Sequence, residues 1–197
     1  MSSAFSTSPQ PDSDYNYSPR WYFPDHQRIR TTVALPLSQS NLELLARFIQ
    51  DTSNPFMQDR LGLTPLHHAV RNAPVDTIRL LIAHCHPLNI RSFDGFTPLH
   101  LAAYLGRTPV IGLLLDNGAN PSLLTHDGNT ALHTASRELR VESVRLLLER
   151  GLDPRMKNRD QLTPRLLARI QKDGRLSDRI RYDQISIMLR TGEMKRR

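Results

Sequence analysis

The sequence predicts an all-α repeat solenoid, in which short helix pairs joined by hairpin loops stack on one another. Three observations predict this fold class: a recurring Thr-Pro-Leu-His helix start, an apolar helical pattern with the same step, and a glycine two residues before three of the four starts. The step is 33 residues, from Thr64 through Thr97 and Thr130 to Thr163. Such a period is typical of stacked repeats, because two short helices cannot bury their own apolar faces.

The first helix of each repeat is predicted from its start, best seen in the stretch Phe93–Ala103. Thr97 is a good N-cap, since its hydroxyl accepts a hydrogen bond from a backbone N–H that has no partner in the helix. Pro98 suits the first helical position, where its missing N–H costs nothing. Asp94-Gly95 is a turn signal, because Gly takes a positive φ without penalty. A tight turn therefore leads into a short helix.

The second helix follows from apolar residues spaced i, i+3, i+6 and i+7, which share one helical face. This pattern keeps the 33-residue step through Leu42/Leu45/Phe48/Ile49, Val75/Ile78/Leu81/Ile82, Thr108/Ile111/Leu114/Leu115 and Val141/Val144/Leu147/Leu148. Each unit is therefore a turn, a short helix, a second helix and a loop.

The 33-residue period and the Gly-x-Thr-Pro-Leu-His-x-Ala signature resemble the ankyrin repeat. The loop sequences Asn117-Gly118-Ala119-Asn120-Pro121 and Arg150-Gly151-Leu152-Asp153-Pro154 agree with this resemblance, which covers roughly residues 40 to 192. It implies stacked ankyrin repeats, each a helix-turn-helix plus a β-hairpin loop. It also implies an adaptor or scaffold that binds a protein segment on its concave face.

The register of the threonines divides the chain into seven segments. They are a Ser/Pro-rich tail predicted to be disordered (1–25), a degenerate N-terminal capping repeat (26–58), three ankyrin repeats (59–91, 92–124 and 125–157), an atypical C-terminal capping repeat (158–193) and a basic tail (194–197). Trp21-Tyr22-Phe23 is the aromatic exception in the first tail, and it either packs onto the first helices or forms a short motif that binds a partner.

The last repeat departs from the pattern. Its second helix is predicted around Tyr182, Ile185, Met188 and Leu189, which lie 41 rather than 33 residues after the preceding copy, and Gly192 is predicted to close it. An insertion of 8 residues therefore falls within residues 171–179. It is either a longer turn in a capping repeat or a docking loop, and long loops cost a solenoid little entropy.

Composition limits the possible functions. The net charge is +7, and residues 137–197 hold 17 Lys and Arg against 9 Asp and Glu. This basic end is either a solvated face or a site for an acidic partner, nucleic acid or acidic lipid. Cys85 is the single cysteine, which predicts a reducing compartment, cytoplasmic and/or nuclear. No run of ~18 apolar residues predicts a membrane span.

The recurring histidines His67, His100 and His133 are predicted to be structural. Equivalent sites in adjacent repeats lie about 10 Å apart, whereas a metal binds nitrogen at about 2 Å. The resemblance implies that each links a helix start to the neighbouring turn. His84-Cys85-His86 lacks metal-ligand spacing, and the sequence holds no phosphate loop, nucleophile elbow or zinc signature. We expect no catalytic residue, cofactor or metal, and no enzymatic activity.

The resemblance places the partner-binding residues on the hairpin tips and the ends of the first helices. By the threonine register they are Arg60, Leu61, Leu63, Arg71 and Asn72; Phe93, Asp94, Phe96, Tyr104 and Leu105; His126, Asp127, Asn129, Arg137 and Glu138; and Arg159, Asp160 and Leu162.

The second set is the most apolar and is expected to form an exposed aromatic patch of Phe93, Phe96, Tyr104 and Leu105. Exposed patches with aromatic residues usually mark interaction sites. Arginines of the other repeats would flank this patch, which predicts a monomer that binds a protein or peptide with a hydrophobic anchor and acidic flanks. Alternatively, Phe93 or Phe96 packs between adjacent hairpins.

Overall fold

The computed structural model describes residues 58–84, 88–170 and 176–194, all within one compact unit, Gln39–Arg197. Regular structure in these residues consists of eight helices. They are α1 Pro65–Asn72, α2 Val75–His84, α3 Pro98–Leu105, α4 Thr108–Asp116, α5 Ala131–Arg137, α6 Val141–Glu149, α7 Pro164–Ile170 and α8 Leu176–Met194. None of these eight is both long and apolar enough to cross a bilayer.

Several predictions fall on residues outside the described part of the chain. They concern the tail 1–25 with its Trp21-Tyr22-Phe23 motif, nearly all of the capping repeat 26–58, the His84-Cys85-His86 side chains, residues 171–175 of the insertion, and residues 195–197 of the basic tail.

The helices form two packed rows. The first helices α1, α3, α5 and α7 pack on one another in succession, and so do the second helices α2, α4, α6 and α8. Each helix also packs on its partner in the same repeat. Between the rows lies one continuous core, whose fully buried members include Ile78, Leu99, Ile111, Leu114 and Leu132. This arrangement confirms the predicted all-α repeat solenoid.

Helices α1, α3 and α5 each begin with a capping box formed by a Thr and a His. In α3 the hydroxyl of Thr97 accepts the backbone N–H of His100, and the His100 ring Nδ1 accepts the backbone N–H of Thr97. The same pairs recur at Thr64 and Thr130. Two N–H groups without helical partners are thus satisfied reciprocally at each helix start.

The same histidines link consecutive repeats. His67 Nε2 lies 3.0 Å from the carbonyl oxygen of Phe96, and His100 Nε2 lies 3.1 Å from that of Asn129. His133 contacts the carbonyl of Leu162 in the same way. A carbonyl only accepts, so Nε2 carries the proton in all three rings and Nδ1 is the acceptor. The predicted structural role of the histidines is confirmed.

In the last repeat the second helix differs from the sequence prediction in both its start and its end. Helix α8 begins at Leu176, six residues before Tyr182, so part of the extra sequence lengthens the second helix instead of forming a loop. Gly192 does not close the helix, which continues to Met194. A Cβ at Gly192 would lie 3.3 Å from Pro154 Cγ and 3.4 Å from Leu148 Cδ2. Its glycine therefore allows α8 to approach the preceding repeat closely.

Candidate functional site

The candidate site is a surface built from the hairpin tips and the C-terminal ends of the first helices. Backbone hydrogen bonds join each tip to the next: Phe93 N to Leu61 O at 3.0 Å, His126 N to Asp94 O at 3.2 Å, and Arg159 N to Asp127 O at 2.9 Å. The tips therefore form one row with a fixed spacing. A segment that runs along this row meets one tip per repeat.

In each hairpin a polar side chain outside the predicted binding set accepts a backbone hydrogen bond. The Ser92 hydroxyl accepts the backbone N–H of Phe96 at 3.1 Å, and the Ser92 N–H donates to the Phe96 carbonyl at 2.8 Å. Asp59, Thr125 and Asn158 do the same in the other hairpins. The available signal was a short polar residue five positions before each threonine. These contacts hold the tips rigid.

The tip side chains lie over the glycine of the preceding hairpin. At Gly62, which has a φ of 73°, an added Cβ would lie 2.8 Å from Phe93 Cδ1. His126 covers Gly95 and Arg159 covers Gly128 in the same manner. Only Gly combines the positive φ with room for the neighbouring chain. Gln161 has a φ of 61° at the equivalent place in the last hairpin.

The expected aromatic patch is only partly exposed, and the prediction for Phe96 is wrong. Phe96 is 8% exposed, and its ring packs edge-on against His100 at 5.9 Å. Leu63 and Asn129, at the same place in their repeats, are also buried, and Leu162 is half-buried. Buried histidines lie against Phe96: His67 Nε2 contacts its carbonyl, and the His100 ring packs on its side chain.

Asn129 also has a structural partner, since its Oδ1 accepts a hydrogen bond from Asn158 Nδ2 at 2.9 Å. A buried amide in this pairing is satisfied within the fold. Leu105 is half-buried and packs against the core. The structure therefore removes Leu63, Phe96 and Asn129 from the exposed surface and leaves Leu105 at its edge.

Phe93 and Tyr104 remain at the surface, but at the two ends of one repeat. Phe93 is 62% exposed on the hairpin tip, and Tyr104 is half-buried in the last turn of α3. An eight-residue helix is about 12 Å long, so α3 separates these anchors instead of joining them in one patch. The other predicted tip and helix-end residues are exposed or half-buried. They are Arg60, Leu61, Arg71, Asn72, Asp94, His126, Asp127, Arg137, Glu138, Arg159 and Asp160.

Charged groups surround the Tyr104 phenol. The pKa of Tyr104 is raised above its ordinary value, chiefly by burial and also by the charge of Glu138. The charges of Arg137, Arg140 and Arg71 oppose this shift without cancelling it. Residues of α1 and α5 thus act on a side chain of α3. The cluster of Arg71, Tyr104, Arg137, Glu138 and Arg140, which we name the Tyr104 cluster, holds three cations and one carboxylate.

The charges of this cluster are partly desolvated. The Arg137 and Glu138 side chains are 17% and 22% exposed, with Nε and Oε1 3.8 Å apart. Burial lowers the pKa of Arg137 and raises that of Glu138, although Arg137 and Arg140 oppose the shift of Glu138. Ionic interactions at such a half-buried place are stronger than on open surface, because water screens them less.

Two arginines outside the predicted binding set donate hydrogen bonds to backbone carbonyls at the C-terminal ends of α1 and α3. Arg107 donates to the carbonyls of Val70 at 2.7 Å and Ala73 at 2.6 Å, at the end of α1. Arg140 Nε donates to the carbonyl of Tyr104 at 3.0 Å, at the end of α3. Cations suit helix C-termini, where the last carbonyls have no partner in the helix. The sequence signal was an arginine directly before the second helix of two repeats, Arg107 before α4 and Arg140 before α6.

Comparison with known proteins identifies the repeat. A family model for ankyrin repeats matches residues 34–125 and 89–158, with three copies. The matched region spans 125 of the 197 residues. No curated protein matches the sequence closely enough to count as a relative.

Proposed function

This chain belongs to the ankyrin-repeat family, and we propose that it is an adaptor that binds an extended protein segment along its hairpin tips and first-helix ends. Ankyrin repeats are generally protein–protein interaction modules, and proteins built from them are typically not enzymes. The observation that carries the proposal is the exposure of Phe93 on a rigid tip beside repeats whose equivalent places hold charged or polar residues.

The proposed mechanism uses two anchors at fixed separation. A hydrophobic side chain of the partner packs on Phe93, whose ring is held over Gly62. An acidic side chain binds at the Tyr104 cluster, where three arginines and Glu138 leave a net positive charge. Aromatic and arginine side chains dominate the binding energy of many interfaces. Charge complementarity adds orientation and a faster association rate.

Affinity capture from a cell extract tests this proposal. We compare the wild type with a Phe93→Ala/Tyr104→Ala variant and with a Glu142→Ala/Arg145→Ala control, whose two side chains are exposed on α6 and pair with each other at 3.3 Å. Proteins retained by the wild type and the control but not by the first variant support the proposal. Equal retention by all three forms contradicts it.

The alternative function is binding of nucleic acid or acidic lipid through the Arg-rich C-terminal third. Its support is the excess of 17 cations over 9 carboxylates in residues 137–197. Neutralising several phosphates gives an affinity that falls steeply with salt. Material that is stripped by a high-salt wash and is indifferent to the Phe93→Ala/Tyr104→Ala change would therefore favour this alternative.

We also propose a cellular location and an oligomeric state for the protein. A single cysteine supports a reducing compartment, so we place the protein in the cytoplasm and/or nucleus. The excess of positive charge in its last third supports a monomer, because two copies brought together there would repel each other.

A further inference from the structure

The C-terminal helix α8 exposes a second apolar surface, away from the hairpin tips. Four large side chains are exposed there: Leu176 at 73%, Ile180 at 52%, Ile187 at 66% and Met194 at 74%. With 3.6 residues per turn, positions 0, 4, 11 and 18 fall within about 40° of arc. They form one straight line along the helix, which we name the α8 stripe.

The α8 stripe faces away from the fold. The buried residues of α8 are Ile185, Ser186 and Leu189. Ile185 and Leu189 lie on the opposite side of the helix wheel, and Ser186 lies at its flank. A solenoid normally presents a polar outer face at its last repeat, because that face has no neighbour. Here the last helix has an apolar face on each side.

Two arginines border the stripe, and their charges are available to a partner. Arg179 and Arg190 are exposed on the same side of it, next to Asp183. Within the described residues neither arginine lies in an ion pair, whereas Arg181 pairs with Asp178 at 3.6 Å and Arg165 with Glu193 at 4.0 Å. Two nearby carboxylates are thus already engaged.

The width of the stripe distinguishes between a protein and a membrane as its occupant. A helix that lies in a membrane surface presents a broad apolar face, whereas a narrow line of apolar residues is the seam used between two packed helices. The stripe is narrow and has Gln184, Thr191 and Asp183 close beside it. Its geometry therefore favours a helix of a protein.

Charge distinguishes between a second copy and another protein. Residues 155–197 hold 13 Lys and Arg against 5 Asp and Glu. Pairing α8 with α8 of a second copy would bring two strongly positive ends together, which like-charge repulsion opposes. An acidic partner is instead attracted to the same place.

We propose that the α8 stripe docks an amphipathic helix of another protein, which packs apolar side chains on Leu176, Ile180, Ile187 and Met194 and places acidic side chains beside Arg179 and Arg190. The stripe runs over 19 residues, so it accommodates a partner helix about 27 Å long at a rise of about 1.5 Å per residue. This surface is independent of the Tyr104 cluster and of Phe93.

A selection experiment tests the proposal with a defined probe. The full-length chain is used to select binders from a display library of 20-residue helical peptides that varies both the apolar spacing and the net charge. The selected peptides are then titrated against the wild type, an Ile180→Gln/Ile187→Gln variant, an Arg179→Glu/Arg190→Glu variant and the Glu142→Ala/Arg145→Ala control on α6. All the changed side chains are exposed, and circular dichroism melting confirms that each variant folds.

We expect the selected peptides to be acidic and to carry one line of apolar residues. Their affinity should be at least tenfold weaker for the isoleucine and arginine variants than for the wild type, and unchanged for the control. Selected peptides without that pattern, selected peptides that bind the isoleucine variant as tightly as the wild type, or a selection that yields no binder would overturn the proposal. Sedimentation velocity and flotation with phosphatidylserine vesicles are run in parallel. Self-association or vesicle binding that disappears in the isoleucine variant would also overturn it, in favour of a second copy or a membrane.

Discussion

Acidification is expected to lower the free energy of unfolding, because three buried histidines must stay neutral in the folded state. Burial lowers the pKa of His67, His100 and His133 from 6.5 to about 4. Each ring donates through Nε2 and accepts through Nδ1, so protonating Nδ1 removes the acceptor of the capping box. The folded state therefore requires the neutral ring, whereas the unfolded chain does not.

The sign and size of the effect follow from linkage. A folded-state pKa below the unfolded value means that the unfolded chain binds more protons, so stability is greatest above about pH 6.5 and falls as the pH drops towards 4. At pH 5 each histidine contributes a loss of about 2 kcal/mol, from 1.5 pKa units at about 1.4 kcal/mol each. Three histidines together lose about 6 kcal/mol, against a total stability of about 5–15 kcal/mol for a typical domain.

Urea denaturation followed by circular dichroism at pH 7.5, 6 and 5 measures this loss. His100→Gln should lower the stability at pH 7.5 and remove about a third of the pH dependence, because one of the three rings no longer titrates. His126→Gln is the matched control, since His126 is exposed on a hairpin tip. Glu138, whose pKa burial raises, offsets a part of the loss at low pH.

A free energy of unfolding that stays constant between pH 7.5 and 5 would show that the three buried histidines do not destabilise the fold on acidification. An equal pH dependence in His100→Gln and the wild type would lead to the same conclusion, since the titrating groups would then lie elsewhere.

Three further predictions concern single residues and are measured by urea denaturation, with affinity added for the last. Gly95→Ala should cost more than Gly118→Ala, because both have a positive φ but only at Gly95 would the new Cβ lie 2.6 Å from the His126 backbone nitrogen; equal costs would contradict the packing at the tip. Gln161→Gly should stabilise the chain by roughly 0.5–1 kcal/mol, since it relieves a left-handed conformation at an exposed side chain; a loss would contradict this. Leu114→Ala should cost roughly 2–5 kcal/mol as a core truncation, whereas Tyr104→Ala should weaken partner binding more than stability; similar behaviour of the two would contradict the surface assignment.

The fold was predictable because each repeat carries its own local signals. The Thr-Pro start, the glycine of the turn and the histidine of the capping box lie within a few residues of one another, and their step of 33 residues implies stacking. The hydrogen bonds of His67, His100 and His133 to the next repeat were implied by the resemblance to the ankyrin repeat that these signals carry.

The surface was harder to predict, because exposure depends on the neighbouring repeat. Phe96 and Phe93 are both aromatic residues of one hairpin, yet Phe96 is buried against the ring of His100 whereas Phe93 is exposed. Arg140 was missed for a similar reason, since its contact with the Tyr104 carbonyl joins two repeats. The continuation of α8 to Met194 was missed because Gly192 was interpreted as a stop signal, although this glycine serves close packing.

We propose that the surface with Phe93 and the Tyr104 cluster binds a protein segment. Calorimetric titration tests this with the segment recovered by affinity capture, against the wild type, Phe93→Ala, Tyr104→Ala and the Glu142→Ala/Arg145→Ala control. We expect at least a tenfold weaker affinity for each single variant, which is about 1.4 kcal/mol, and an unchanged affinity for the control. An affinity that is unchanged in both Phe93→Ala and Tyr104→Ala would rule out this surface as the binding site.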